Sequence, residues 1–240
     1  MSDQPPLMLA IDTSTRMAGV AIARGDVVVA EYTWLAGQHH TEQLLPAVDT
    51  VLKGNGFLLS DVQAVAVATG PGSFNGLRVG LATVKSLAVA LGLPIVSATS
   101  LEVEAYAHAV APWPICAIHD AGRKEVAWAI YRGPAAEWRC TVQPQITSPE
   151  ALAARLRGRT LLCGEIPEGC LVLLQGALGP RAIIPSLAAR VRRPGLLAEL
   201  GYRRLQAGLL DDVNALQPLY LRRPPPVPQP RSQEPSLLEA

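Results

Sequence analysis

The sequence predicts an α/β fold: a βββαβαβα unit followed by a second, degenerate copy of the same unit. Three observations carry this prediction. Short apolar, uncharged segments such as Ala64-Val65-Ala66-Val67-Ala68-Thr69 alternate with longer segments of helical periodicity. The first three strand-like segments are joined by connections short enough only for an antiparallel meander. The strand Met8–Ile11 ends in the polar turn Asp12-Thr13-Ser14-Thr15, and the strand Ile115–His119 ends comparably in Asp120-Ala121-Gly122, which suggests duplication.

Each element has its own local reason. After Met8–Ile11 come a second strand, Ala18–Ala23, a tight turn at Gly25-Asp26, and a third strand, Val27–Leu35. A first helix is expected over Thr41–Lys53, with Leu44, Leu45, Val48, Val51 and Leu52 on one face. Gly54-Asn55-Gly56 supplies its end, and Pro46 predicts a kink or a late start. The buried strand 64–69 leads through Gly70-Pro71-Gly72-Ser73-Phe74-Asn75 into a second helix, 76–91. A strand at Pro94–Ala98 and a third helix from Leu101 follow, the latter opened by the capping box Thr99-Ser100-Leu101-Glu102.

The second part reads less completely. Glu125–Arg132 and Trp138–Gln143 are expected strands, and Ser148-Pro149-Glu150 starts a helix with serine as cap and proline first. Thr160–Cys163 and Leu171–Leu174 read as strands, and Pro194-Gly195 leads into an arginine-rich helix, Leu196–Ala207. Residues 1–111 form the first subdomain and 112–195 the degenerate second. The proline-crowded tail, 223–240, is expected to be disordered.

Composition excludes several classes. A formal net charge of +1 over 240 residues gives no general argument for nucleic-acid or membrane binding. Cys116, Cys140, Cys163 and Cys170 form no C-x-x-C pair, which fits a reducing compartment. Met1-Ser2-Asp3-Gln4-Pro5-Pro6 carries no signal-peptide pattern. The longest uncharged stretch, Ser86–Leu101, is too short to span a bilayer. The reading is a soluble, cytoplasmic protein.

The chemistry-bearing motifs are few. The glycine loop at 70–78 lacks both G-x-G-x-x-G and the P-loop Gly-Lys-Ser/Thr. An Asp-Thr turn after the first strand of a duplicated βββαβαβα unit is a feature of the actin, Hsp70 and sugar-kinase superfamily, where ATP lies between two domains. Asp12, Thr13 and Ser14 are therefore candidates for a residual phosphate turn, with Asp120 as its counterpart. Short polar side chains after a strand are also ordinary turn formers. His39 and His40 are adjacent, whereas a helical metal pair needs a spacing of four, so no metal site is expected. Ser73 is not in a nucleophile elbow, and no catalytic residue is assigned. Gly76, Gly80, Val84 and Ala88 form a ridge of small side chains along the second helix. That ridge suits either tight internal packing or a protein–protein interface.

The runs Ile11–Thr15, His40-Thr41-Glu42-Gln43-Leu44-Leu45-Pro46, Gly70–Thr83 and Pro218-Leu219-Tyr220-Leu221-Arg222 resemble the TsaB (YeaZ) family of bacterial tRNA threonylcarbamoyladenosine biosynthesis proteins. The resemblance covers about residues 7–223. It departs at Asn75, where threonine is usual, at Gly122, where arginine more often follows the alanine, and in the proline-rich tail.

The resemblance implies an actin/Hsp70-like (RNase H-like) fold in which a C-terminal stretch, about 196–222, returns to the first subdomain. It implies a non-catalytic partner of TsaD, the subunit that transfers a threonylcarbamoyl group to the adenosine beside the tRNA anticodon. Other implied partners are the ATPase TsaE and, for the free protein, a second copy of the chain; tRNA is met indirectly and no cofactor is required. It places the partner surface on the two helices, at His40, Leu44, Leu45 and Val48 and at Gly76, Arg78, Gly80, Thr83, Val84 and Leu87. Arg78 is expected to tie the loop to the interface by bidentate bonding. The residues alone leave a second reading, an ATP-dependent phosphotransferase or ATPase.

Overall fold

A computed structural model describes residues 4–222 of the chain. Strands β1 (Leu7–Asp12), β2 (Met17–Arg24), β3 (Val27–Leu35), β4 (Ala64–Ala68) and β5 (Ile95–Ala98) form one sheet in the order β3-β2-β1-β4-β5. β1 is antiparallel to β2 and parallel to β4, and β4 is parallel to β5. Helices α1 (His40–Lys53), α2 (Phe74–Leu91) and α3 (Ser100–Tyr106) follow β3, β4 and β5. This is the expected βββαβαβα succession.

The unit then recurs. Strands β6 (Ile115–Asp120), β7 (Val126–Arg132), β8 (Arg139–Thr147), β9 (Thr160–Cys163) and β10 (Ala182–Ile183) assemble in the order β10-β9-β6-β7-β8, the first order read from the other edge. Helices α4 (Pro149–Arg155), α5 (Glu168–Leu178) and α6 (Pro194–Gln206) stand where α1, α2 and α3 stood. The second copy is reduced by shortening: β10 has 2 residues and α4 has 7.

Alternation along the strands sorts the helices. On the first sheet the large side chains Leu7, Leu9 and Ile11 face the core shared with α1 and α2. Met8, Ala10, Ala21, Ala64 and Ala66 face the other way, onto Leu197 and Ala198 of α6. An alanine-lined face lets a helix come close. A methyl group added at Gly201 would lie 2.8 Å from Met8 Sδ and 2.9 Å from Ala66 Cβ. The last helix of the chain thus packs on the first sheet. α3 lies between the two sheets, with Leu101 and Ala105 against Ile115 and Ala117 and with Val103 against the first core. By length and composition α2 could cross a bilayer, but its Leu77, Leu81, Val84 and Ala88 are buried against the sheet.

The caps expected at Thr99 and Ser148 form, and Ser73 caps α2. Ser73, Thr99 and Ser148 accept from the amides of Gly76, Glu102 and Ala151 at 3.4, 3.1 and 3.3 Å. Two expectations need correcting. Leu171–Leu174 belongs to helix α5, not to a strand, because Cys170, Leu174 and Leu178 recur at a spacing of four and bury one face. The late start that Pro46 allowed does not occur, since α1 runs from His40 to Lys53 around it. The proline-rich segment expected to be disordered, 223–240, lies outside the described residues.

Candidate partner surface and the sealed Asp turn

The glycine loop meets another loop of the same chain. A Cβ added at Gly72 would overlap Ser14 O, one at Gly76 would overlap Thr13 O, and one at Gly80 would overlap Thr13 Oγ1. Only glycine permits this approach of backbone to backbone. The space is used for hydrogen bonds: Ser73 N donates to Ser14 O at 2.6 Å and Thr13 Oγ1 donates to Gly76 O at 2.7 Å. His40 Nε2 lies 2.8 Å from Thr15 O. The loop and α1 together clamp the turn that follows β1.

That clamp corrects part of the expected partner surface. His40, Leu44, Val48, Gly76, Gly80 and Val84 are buried within their own lobe. The ridge of small residues closes α2 onto the sheet and the Asp turn, which is the internal-packing reading, and a partner cannot touch it. Thr83 and Leu87 are half-buried, and Leu87 packs on the core beside Val213 and Leu216. Leu45 and Arg78 are exposed. Arg78 makes no bidentate pair. Its guanidinium sits 3.9 Å from the centre of the Phe74 ring, and Nε donates to the Tyr220 hydroxyl at 3.3 Å.

The face of α2 that does reach solvent is about 200° around from the glycine ridge, since each residue turns the helix by about 100°. It carries Asn75, Arg78, Ala82, Ser86 and Val89, all exposed and with no acidic residue. On α1, Leu45 is 57% exposed and lines a hollow of about 280 Å³ with Asp49, Lys53, Phe57, Leu58 and Leu59, formed by α1 and the segment after it. Of the two readings the ridge allows, internal packing is the one observed, and the resemblance-implied contacts at Gly76, Gly80 and Val84 face inward. Exposed Val89 directly after buried Ala88 marks the boundary between the two faces.

Asp12, Thr13 and Ser14 are nearly inaccessible, at 2, 2 and 0% exposure. Ser14 N and Oγ both donate to Asp12 Oδ1, at 2.9 and 2.6 Å. The other Asp12 oxygen accepts from Arg192 Nε. Arg192, in the link before α6, is itself buried, and its Nη1 reaches Glu104 at 3.1 Å and Glu165 at 3.3 Å. Its Nη2 donates to Thr15 Oγ1 at 2.8 Å and to Met17 O at 3.2 Å. Glu104 also receives His119 Nε2, at 2.6 Å.

Burial opposes the charge on Arg192, but Asp12, Glu104 and Glu165 outweigh it and raise its pKa. Burial likewise opposes charge on His119, while Glu104 and, less directly, Glu165 hold its pKa above the ordinary histidine value against Arg192. The ionic centre therefore joins β1, α3, β6, the segment after β9 and the α6 link. None of Arg192, Glu104, Glu165 or His119 was singled out from sequence for a site. The counterpart Asp120 is exposed and, among the described residues, accepts only from Gly122 N, at 2.8 Å.

The thiols are poor nucleophiles. Burial raises the pKa of Cys116, Cys140 and Cys163, and pushes that of Cys170 up to about 11. Among the described residues no three histidine, cysteine or acidic side chains are gathered to hold a metal ion.

The family model described as TsaD, tRNA N6-adenosine threonylcarbamoyltransferase, matches residues 34–159, a stretch that includes α1 and α2. The tRNA threonylcarbamoyladenosine biosynthesis protein TsaB of Bacillus subtilis is 32% identical over 90% of this chain and 93% of its own length. The protein of the same name from Escherichia coli is 32% identical over 62% of this chain and 66% of its own length. A Pseudomonas aeruginosa protein described as similar to peptidase YEAZ superposes with a TM-score of 0.76 at 27% identity, covering 90% of this chain and all of the other. With a relative this similar over nearly the whole of both chains, and with the duplicated two-lobe fold in common, the chain belongs to the TsaB family.

Proposed function

We propose that the chain acts in tRNA threonylcarbamoyladenosine formation as a non-catalytic, cytoplasmic partner of a TsaD-type transferase. The observation that carries this reading is the outer face of α2. Asn75, Ala82, Ser86 and Val89 are small or uncharged side chains around one cation, Arg78, with no acidic residue on the face, while the polar turn that relatives of this fold class use for phosphate is closed by the chain's own Arg192. Small side chains let a second helix approach closely, and the depletion of charge removes the cost of desolvation. Because the transferase family model spans α1 and α2, a TsaD-type subunit carries the equivalent helices, and two related faces pair about an approximate twofold axis. The same face pairs two copies of this chain when the transferase is absent, and a TsaE-type ATPase docks on the hetero-pair. The chain needs no cofactor of its own.

Ala82→Glu and Ser86→Glu test the surface, because both positions are exposed and leave the core alone. Native mass measurement of the chain mixed with its TsaD-type subunit should show the pair lost in both variants while thermal melting stays unchanged. A pair that persists would remove the strip from the interface. Calorimetric titration of the isolated chain with ATP and magnesium addresses the phosphotransferase alternative. No heat is expected, and micromolar binding would favour that alternative.

A further inference from the structure

Arginines on the helix and link that follow the second sheet are engaged inside the chain. Arg192 is buried among carboxylates, Arg193 pairs with Glu31, Arg204 pairs with Glu102, and Arg203 donates to the Tyr106 hydroxyl and to Ala135 O. A different set is free. On the second lobe, two adjoining hollows of about 520 and 320 Å³ share Pro112, Trp113 and Arg132 in their walls. Arg155, Arg157 and Arg159 line the first and Arg139 the second, and no Asp or Glu lines either.

The local sequence explains the arrangement. Leu156 and Thr160 are buried and pin the link between α4 and β9, so the intervening and flanking arginines point outward. All five arginines are exposed, and none forms an ion pair among the described residues. Arg155 donates only to the neutral Gln145 amide oxygen, at 2.8 Å. With a formal net charge of only +1 for the whole chain, five uncompensated cations in one groove are a local concentration. In the middle of that groove the Arg159 guanidinium lies 5.2 Å from the centre of the Trp113 ring.

We propose that this groove binds a single strand of RNA, with phosphates on Arg132, Arg139 and Arg157 and a base stacked on the Arg159–Trp113 pair. A cationic track interrupted by an aromatic or guanidinium platform is how unpaired strands are held without sequence readout. An acidic protein segment would use the cations but has no need of the platform. A membrane surface is flat and would not enter a concave groove. The groove is on the second lobe, so this inference deepens the tRNA-linked reading without depending on the α1–α2 strip.

Fluorescence anisotropy of the full chain with a short labelled poly(U) strand, over a series of salt concentrations, tests it. Arg132→Glu/Arg157→Glu should weaken binding at least about tenfold and lower the salt slope by about one. Trp113→Leu should weaken binding about tenfold and leave the slope alone. Arg16→Glu/Arg24→Glu, the same charge change on the first lobe, should bind as the parent does. The proposal is overturned if the parent does not bind, if the groove variants bind like the parent, or if the first-lobe variant loses as much. It is also overturned if poly-glutamate competes as well as unlabelled RNA. Native mass measurement of the groove variants with the TsaD-type subunit should show the pair intact, which separates failure of the groove from failure of the α2 strip.

Discussion

The two lobes place an aspartate at the same point of the same topology, at the end of the strand central to each sheet, and use it in opposite ways. Asp12 is buried, bonded by Ser14 and Arg192, and pressed under the glycine loop. Asp120 is exposed and only shapes its own turn. The difference lies in what stands in front of each turn. The link before α6 delivers an arginine into the first, whereas beside the second Arg222 reaches Ala121 O and Glu125 rather than the aspartate. In the first lobe the turn is a joint between the lobes, tied through Arg192 to Glu104 and Glu165.

Removing the arginine should break that contrast most. Arg192→Ala leaves Asp12, Glu104 and Glu165 without their shared cation, and stripping one side of a buried ion network costs about 3–5 kcal/mol. Urea denaturation should show that loss, while Arg193→Ala, next along the chain but exposed and paired at the surface with Glu31, should cost no more than about 1 kcal/mol. Equal effects would mean that the centre is not the joint.

Next in size is the glycine contact. A methyl group at Gly72 overlaps Ser14 O and displaces the Ser73 N to Ser14 O bond, so Gly72→Ala should cost about 1–3 kcal/mol. At the second turn, Gly122 has open space around its Cβ position but a φ of +69°, so Gly122→Ala should cost about 1 kcal/mol through backbone strain alone. Thermal melting of the two variants ranks steric contact against strain.

The parts of this architecture that were legible in sequence are the local ones. The strand and helix order follows from apolar runs bounded by local signals, and Thr99 in the first lobe and Ser148 in the second each cap the helix they announced. The Gly70–Arg78 run pointed to the family. Periodicity showed that α2 has a small-residue face but not which way that face turns, because that depends on where β1 and its turn lie in space. The same short-window ambiguity made Leu171–Leu174 look like a strand. The ionic centre was invisible for a stronger reason: Arg192 meets Asp12, Glu104 and Glu165 across 180, 88 and 27 residues of chain. No local pattern encodes such a meeting.

The ionic centre should also leave a pH signature that the open turn lacks. Facing His119 are Glu104 from α3, Glu165 from the segment after β9 and Arg192 from the α6 link, and their balance raises its pKa in the folded state. A histidine raised on folding binds its proton more tightly in the folded protein. Its stabilising contribution is full below the unfolded-state value of about 6.5 and is lost as pH rises through the higher folded value. The stability difference between the parent and His119→Gln should therefore shrink as pH is raised from 6 through the alkaline range. A difference that is flat with pH would place a neutral imidazole in the centre.

The smallest expected effect is the most discriminating for the two aspartates. Asp120→Asn keeps an oxygen that accepts from Gly122 N, removes a charge that already faces water, and should change stability by less than about 0.5 kcal/mol. Asp12→Asn keeps the shape but takes one carboxylate from the centre around Arg192, so it should destabilise measurably more. If the two substitutions cost the same, the turns are equivalent and the first lobe's is no joint. If Asp120→Asn alone abolished an activity of the isolated chain, the exposed turn would be the working one. The ATP-dependent reading would then gain the support that the buried Asp12 turn does not supply.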